Sequence, residues 1–128
     1  MSKPKSFVTR AEDVKAEAWS DERGTLSFHT LVSGDLTPSH GLVAGVAIFA
    51  PGGGLALHSH QQPEIYFALE GAAIVTVEGV ERTVSAGSVV FIPGAARHGI
   101  HNAFNAAFKI FYAFPADRFD EIVYRFES

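Results

Sequence analysis

GGGLALHSHQQPEIYFALEG, residues 52–71, sets two histidines two apart, a glutamate four residues after the second, and a tyrosine two residues after the glutamate. The rest of the run is largely Leu, Ala, Ile and Phe. Side chains alternate faces along a β-strand. His58 and His60 then share a face, with Ser59 on the other. Glu64, Tyr66 and Ala68 share a face, with Ile65, Phe67 and Leu69 opposite. Two antiparallel strands, 56–60 and 64–69, joined as a hairpin by Gln61-Gln62-Pro63, put both polar sets on one side of a sheet. With that side as the interior of a barrel, two imidazoles and a carboxylate converge in an apolar cavity. Such a buried cluster is costly unless something pairs with it, and a divalent metal ion is the simplest partner. A third nitrogen ligand has four candidates: His29, His40, His98 and His101.

Outward from this stretch the chain is strand-rich. Short runs of Val, Ile, Phe and Ala at 27–33, 42–50, 56–60, 64–69, 73–78, 80–85, 88–92, 97–103 and 108–114 are punctuated by Gly, Pro, Asn and Asp. Glu78-Gly79, between Val77 and Val80, reads as a tight hairpin turn. About nine short strands with close-set turns predict an all-β antiparallel sandwich or small barrel. Thr9 to Glu12 reads as a capping box opening a short helix that runs to about Trp19. Pro115 is a plausible first residue of a short C-terminal helical turn. The division expected is an N-terminal segment over 1–26 and a barrel over 27–128.

The chain has 128 residues, 47% of them hydrophobic, enough for one domain with its own core. It contains no cysteine, which excludes disulfides, thiolate metal sites and a cysteine nucleophile. The net charge of −4, with no long basic run, argues against nucleic acid as a partner. Apolar runs stop well short of a membrane span, and the N-terminus has no signal-peptide pattern. The expectation is a cytoplasmic protein with no membrane partner.

A second stretch, GSVVFIPGAARHGIHN at residues 87–102, has Gly87 opening a strand, Pro93-Gly94 turning it and His98 beginning the next. His98, Ile100 and Asn102 share one face, and His101 lies on the other. The two stretches resemble the paired motifs of the cupin family. The first fits G-x5-H-x-H-x3-E-x6-G at Gly52, His58, His60, Glu64 and Gly71. The second fits G-x5-P-x-G-x2-H-x3-N at Gly87, Pro93, His98 and Asn102, except that Ala95 stands where the family prefers Gly. The resemblance implies a single-domain jelly-roll barrel, with His58, His60, Glu64 and His98 as ligands of one divalent transition metal ion. Three imidazoles and a carboxylate suit Fe, Mn, Ni, Zn or Cu. His29, His40 and His101 are then surface or packing residues.

Tyr66 stands two residues from Glu64 on the same strand face. A nearby dication favours phenolate, which is a competent general base; the alternative is a buried tyrosine hydrogen-bonded to a ligand. Tyr112 alternates with Lys109 and Phe111 on the last strand and so faces inward. Trp19 and Tyr124 lie outside the central strands and could cover the barrel mouth. An aromatic pocket of this kind suits a small cationic or apolar ligand. LHSHQQPEIYFALEG together with the tail FPADRFDEIVYRF is similar to the small cupin-type dimethylsulfoniopropionate lyases. That resemblance implies a β-elimination with Tyr66 as catalytic base and Tyr124 in the substrate pocket. Tyr112 and Trp19 are further candidates for contact with the substrate. The competing expectations are a metal-dependent oxygenase or isomerase acting on another small molecule, and a non-catalytic ligand-binding module. Cupins commonly pair barrels, and a homodimer is expected.

Overall fold

The computed structural model describes residues 3–126. In chain order the strands are β1 (Glu17–Asp21), β2 (Gly24–Val32), β3 (Val43–Phe49), β4 (Gly54–Ser59), β5 (Glu64–Glu70), β6 (Ala72–Val77), β7 (Val80–Ser85), β8 (Val89–Ile92), β9 (His98–His101), β10 (Phe108–Phe114) and β11 (Arg125–Phe126). They form one curled antiparallel sheet in the order β7-β6-β9-β4-β2-β3-β10-β5-β8, with β1 added to β2 and β11 to β4. The fold is the all-β jelly roll expected.

Period-two alternation sets which side chains enter the curl. β5 buries Glu64, Tyr66 and Ala68 and exposes Ile65, Phe67 and Leu69. β10 buries Phe108, Ile110, Tyr112 and Phe114. With Phe28, Phe49 and Ile92 these residues make the core. Glu78 and Gly79 both have positive φ, 49° and 78°, between the paired Val77 and Val80. That is the geometry of a two-residue hairpin turn whose twist matches its strands.

Three local expectations need correction. The helix read from Thr9 to Trp19 is a 3-10 turn of Ala11–Asp13, and Trp19 lies in β1, where it is paired with Leu26 of β2. Arg10 occupies the N-cap without a side-chain hydrogen bond, so no capping box forms. The C-terminal helical turn is a 3-10 turn at Phe119–Glu121, not one begun at Pro115. The third correction bears on the site. β4 and β5 are not a hairpin: β4 pairs with β2, β9 and β11, and β5 with β10 and β8. Gln61-Gln62-Pro63 carries the chain from one side of the curl to the other. Pro63 has no N–H to give a ladder at this point. The inward faces still meet, across the interior rather than along one sheet. Among the described residues no helix is long and apolar enough to cross a membrane.

Candidate metal centre

His58 of β4 and His98 of β9 are register partners, and their ring centroids lie 4.1 Å apart. His60 follows β4 directly, 5.8 Å from His58 and 5.0 Å from His98. Glu64 opens β5 and brings a carboxylate from the other side, 3.0 Å from His60 Nε2 and 3.4 Å from His98 Nε2. All four residues are buried. Potential ligand atoms of the three histidines lie within 4.8 Å of one another.

Each imidazole is pinned by a backbone carbonyl. His58 Nδ1 is 2.7 Å from the oxygen of Ala56, His60 Nδ1 2.9 Å from that of Gln62, and His98 Nδ1 2.9 Å from that of Ala96. A carbonyl only accepts, so each Nδ1 donates its proton. In a neutral ring Nε2 is then left with a lone pair. Three such lone pairs and a carboxylate point at one another inside an apolar interior. His58 Nε2 and His98 Nε2 have no hydrogen-bond partner, although both are buried. Unpaired buried nitrogens of this kind cost about 1–3 kcal/mol each. This donor set fits a divalent metal ion, with the carbonyls fixing the tautomer that coordination requires. Burial, then the neighbouring His98, lowers the His58 pKa to about 4, so this ring stays neutral. Burial works to raise Glu64, but His60 and His98, when their rings also carry an Nε2 proton, outweigh it and hold the carboxyl below its usual range.

The turn between Pro93 and His98 supports this arrangement. Ala95 N–H donates to the oxygen of His60 at 2.8 Å, and a Cβ at Gly94 would overlap the oxygen of Gln61. Asn102 also faces inward, but it is a brace. Its amide donates to the oxygens of Phe49 and Ala106, each at 2.9 Å, and its Oδ1 accepts from Phe104 N–H.

Next to the cluster lies a cavity of about 40 Å³, lined by Glu64, Tyr66, Tyr112, Tyr124 and Trp19 together with Phe28 and Phe119. Tyr66 is 3% exposed, and its ring centroid is 6.2 Å from that of His98. Burial, reinforced by the Glu64 charge, pushes the Tyr66 and Tyr124 phenols well above their ordinary value in the metal-free chain. Tyr112 is likewise raised, chiefly by burial. Tyr124 stacks on His58 at 5.2 Å and meets His60 edge-on at 5.3 Å. Trp19 packs edge-on against Tyr124 and Phe28, and Arg23 covers its outer face at 4.2 Å.

Every residue singled out for the site thus borders the cluster or the cavity. The remaining histidines lie elsewhere. His29 Nδ1 contacts the oxygen of Val14, His40 pairs with Asp117 at 3.1 Å, and His101 is exposed. Sequence reasoning missed Phe119 and Phe126. Phe119 lines the cavity and stacks on Phe28, while Phe126 sits 5.3 Å from His58 and stacks on Tyr124 at 5.9 Å. The signal was the aromatic spacing of the tail, Phe119, Tyr124 and Phe126, in a segment too short to show a period.

Fold and cluster together define a class: a small antiparallel barrel whose interior can hold one metal ion. The chain belongs to the cupin family, whose cupin domain signature matches residues 45–114. It is 38% identical over 119 residues, 92% of this chain and 78% of the other, to the dimethylsulfoniopropionate lyase DddW of Ruegeria pomeroyi. Among solved structures it is similar to the polyketide cyclase RemF of Streptomyces resistomycificus, with a TM-score of 0.83 at 20% identity over 97% of this chain and 87% of that one. It is also similar to an RmlC-like cupin of Shewanella frigidimarina, with a TM-score of 0.75 at 25% identity over 94% and 99%. The likeness to the cyclase shows the fold alone.

Proposed function

We propose that this chain is a metal-dependent lyase that cleaves dimethylsulfoniopropionate to dimethyl sulfide and acrylate. The observation that carries the reading is the position of Tyr66, a buried phenol facing the same cavity as Glu64 and enclosed by aromatic rings. The activity named for the Ruegeria relative supplies the substrate. His58, His60, Glu64 and His98 would hold the ion, which when bound supplies the positive charge that favours phenolate at Tyr66 and the negative charge building on the substrate carboxylate.

Tyr66 takes the proton from the carbon next to the substrate carboxylate. The electron pair of that C–H bond becomes the new C=C bond. The C–S bond breaks, and its pair leaves with sulfur as dimethyl sulfide. Acrylate remains, and Tyr66, now a phenol, returns the proton to solvent before the next cycle. Trp19, Tyr112 and Tyr124 present ring faces to the sulfonium end, where cation–π attraction holds it.

The test is headspace dimethyl sulfide from protein loaded separately with Fe(II), Mn(II), Ni(II), Zn(II) and Cu(II). Turnover with at least one ion is expected. No release from protein shown to carry the ion would overturn the lyase. Oxygen uptake with a candidate substrate would then favour an oxygenase, and a ligand returned unchanged a binding module.

A further inference from the structure

A row of inward positions crosses the sheet through Tyr66. Register places Thr30 of β2 opposite Gly45 of β3, Gly45 opposite Tyr112 of β10, and Tyr112 opposite Tyr66 of β5. The row beside it, Phe28, Ala47, Ile110 and Ala68, is wholly apolar. Gly45 leaves a gap in the first row, and the phenol end of Tyr112 fills it: a Cβ at Gly45 would overlap the Tyr112 hydroxyl oxygen and Cζ. Beyond the gap stands Thr30, buried, but not one of the residues that line the cavity. The register of β2 on β3 shifts between Thr30 and Val32, and a bulge of this kind re-aims the side chains next to it.

Thr30 Oγ1 and the Tyr112 hydroxyl are both buried without a hydrogen-bond partner among the described residues. Native proteins leave few such groups. Here the two face each other. Thr30 acts on the Tyr112 phenol as a hydrogen-bonding side chain, against the rise that burial imposes. The hydroxyls therefore approach each other but stop short of full bonding geometry. A hydroxyl has one rotatable proton and two acceptor lone pairs, so a single O–H···O contact gives each group a partner.

We propose that Thr30 is a positioning residue: its hydroxyl accepts the Tyr112 proton across Gly45, holds the ring against β3, and so sets how strongly the pocket selects a cationic end-group over a neutral one of the same shape. The inference rests on the reading of Tyr112 as one of the rings that meet the sulfonium. Two effects link the residues to selectivity. A ring tied at its hydroxyl presents one face in one orientation, and cation–π attraction requires the cation to lie over that face. A phenol that donates its proton is also polarised, which makes the ring face more negative. Thr30 touches no substrate atom in either effect.

Calorimetric titration of the full chain loaded with Zn(II) tests this with two probes that need no turnover. One is 3-(trimethylammonio)propionate, cationic at one end. The other is 4,4-dimethylpentanoate, the same shape with carbon in place of nitrogen. The carboxylate end is common to both, so its contribution cancels in the ratio of affinities. Wild-type protein should bind the cationic probe about tenfold more tightly than the neutral one. Thr30→Val keeps the shape and removes the hydroxyl; it should cut that ratio roughly threefold, with affinity for the neutral probe unchanged. Thr30→Ser should restore the ratio. Tyr112→Phe should reproduce the Thr30→Val ratio, and the double variant should fall no lower, because the two hydroxyls act as one unit. Thr30→Ala covers the case in which Thr30→Val misfolds and should show the same reduced ratio. An unchanged ratio in Thr30→Val overturns the proposal. Equal loss of affinity for both probes, or a further drop in the double variant, also overturns it and makes Thr30 a packing residue. A wild type that binds neither probe, or both equally, overturns it as well. Dimethyl sulfide release is read separately on the same proteins: its absence would remove the lyase and leave the probe ratios to decide Thr30.

Discussion

The chemistry of the cluster turns on which ring nitrogen carries the proton. Three carbonyls take the three Nδ1 protons, and that single fact turns three histidines into converging lone pairs. It also governs how the metal-free protein responds to acid. His58 is held near 4 when folded and returns to about 6.5 when unfolded. Between those values the unfolded chain binds the extra proton, so stability falls as pH drops from about 6.5 to 4 and is unaffected by this group above that window. The full cost is about 3 kcal/mol. Urea titrations of chelator-treated protein at pH 7 and pH 4.5 should show a loss approaching that size, and a His58→Gln variant should show less of it. Tyr66 is the side chain on which the proposed elimination depends. Tyr66→Phe removes one oxygen and keeps the ring that packs near His98. Metal content, measured by mass spectrometry, should be unchanged, while dimethyl sulfide release falls by about 10²- to 10⁴-fold, the usual worth of a general base. Full activity in that variant would remove Tyr66 from the reaction.

Strands with clean alternation could be read directly from residue order. Strands 80–85 and 108–114 were bounded correctly, and the other central strands to within a few residues. What failed was what alternation does not encode. Glu17–Asp21 carries polar residues on nearly all sides and is a strand because it adds to β2, with Trp19 covering the cavity. β11 has two residues, too few for any pattern, and exists by pairing with Ser59 and His58. The false hairpin between β4 and β5 has the same origin: side-chain parity gives the face of each strand but not its neighbour. His58, His60, Glu64 and His98 come together despite that error, because parity alone decides which residues look inward. Ala95 is a subtler case. Its motif position favours Gly, and the structure gives the reason: φ is 66°, the left-handed region that costs an L-residue about 1–2 kcal/mol. Ala95→Gly should relieve that strain, partly offset by the greater freedom of glycine in the unfolded chain. A net gain of about 0.5–1 kcal/mol is expected in urea unfolding, with the His60 contact kept. A loss instead would mean that the Ala95 methyl contributes packing that outweighs its backbone strain.

Over the whole chain, the four candidate ligands join parts of the sheet that are not neighbours. β4 and β9 lie side by side, whereas β5 is reached from β4 only through β2, β3 and β10. An ion at the cluster would therefore clasp the curl across its interior, and unfolding would have to release it. Binding to the folded state alone stabilises by RT ln(1 + [L]/Kd), about 2.7 kcal/mol at a hundredfold excess over Kd. For a chain of this length that corresponds to a rise in Tm of about 10 °C. Calorimetry of chelator-treated protein with and without each of the five ions should show such a rise for at least one of them. His98→Ala removes the candidate ligand contributed from β9 and should abolish the rise while the metal-free variant still melts cooperatively. Persistence of the full rise in His98→Ala would place the ion elsewhere. No rise with any ion would mean that the cluster is a hydrogen-bonded core feature, and the proposed elimination, which depends on the charge held there, would fall with it.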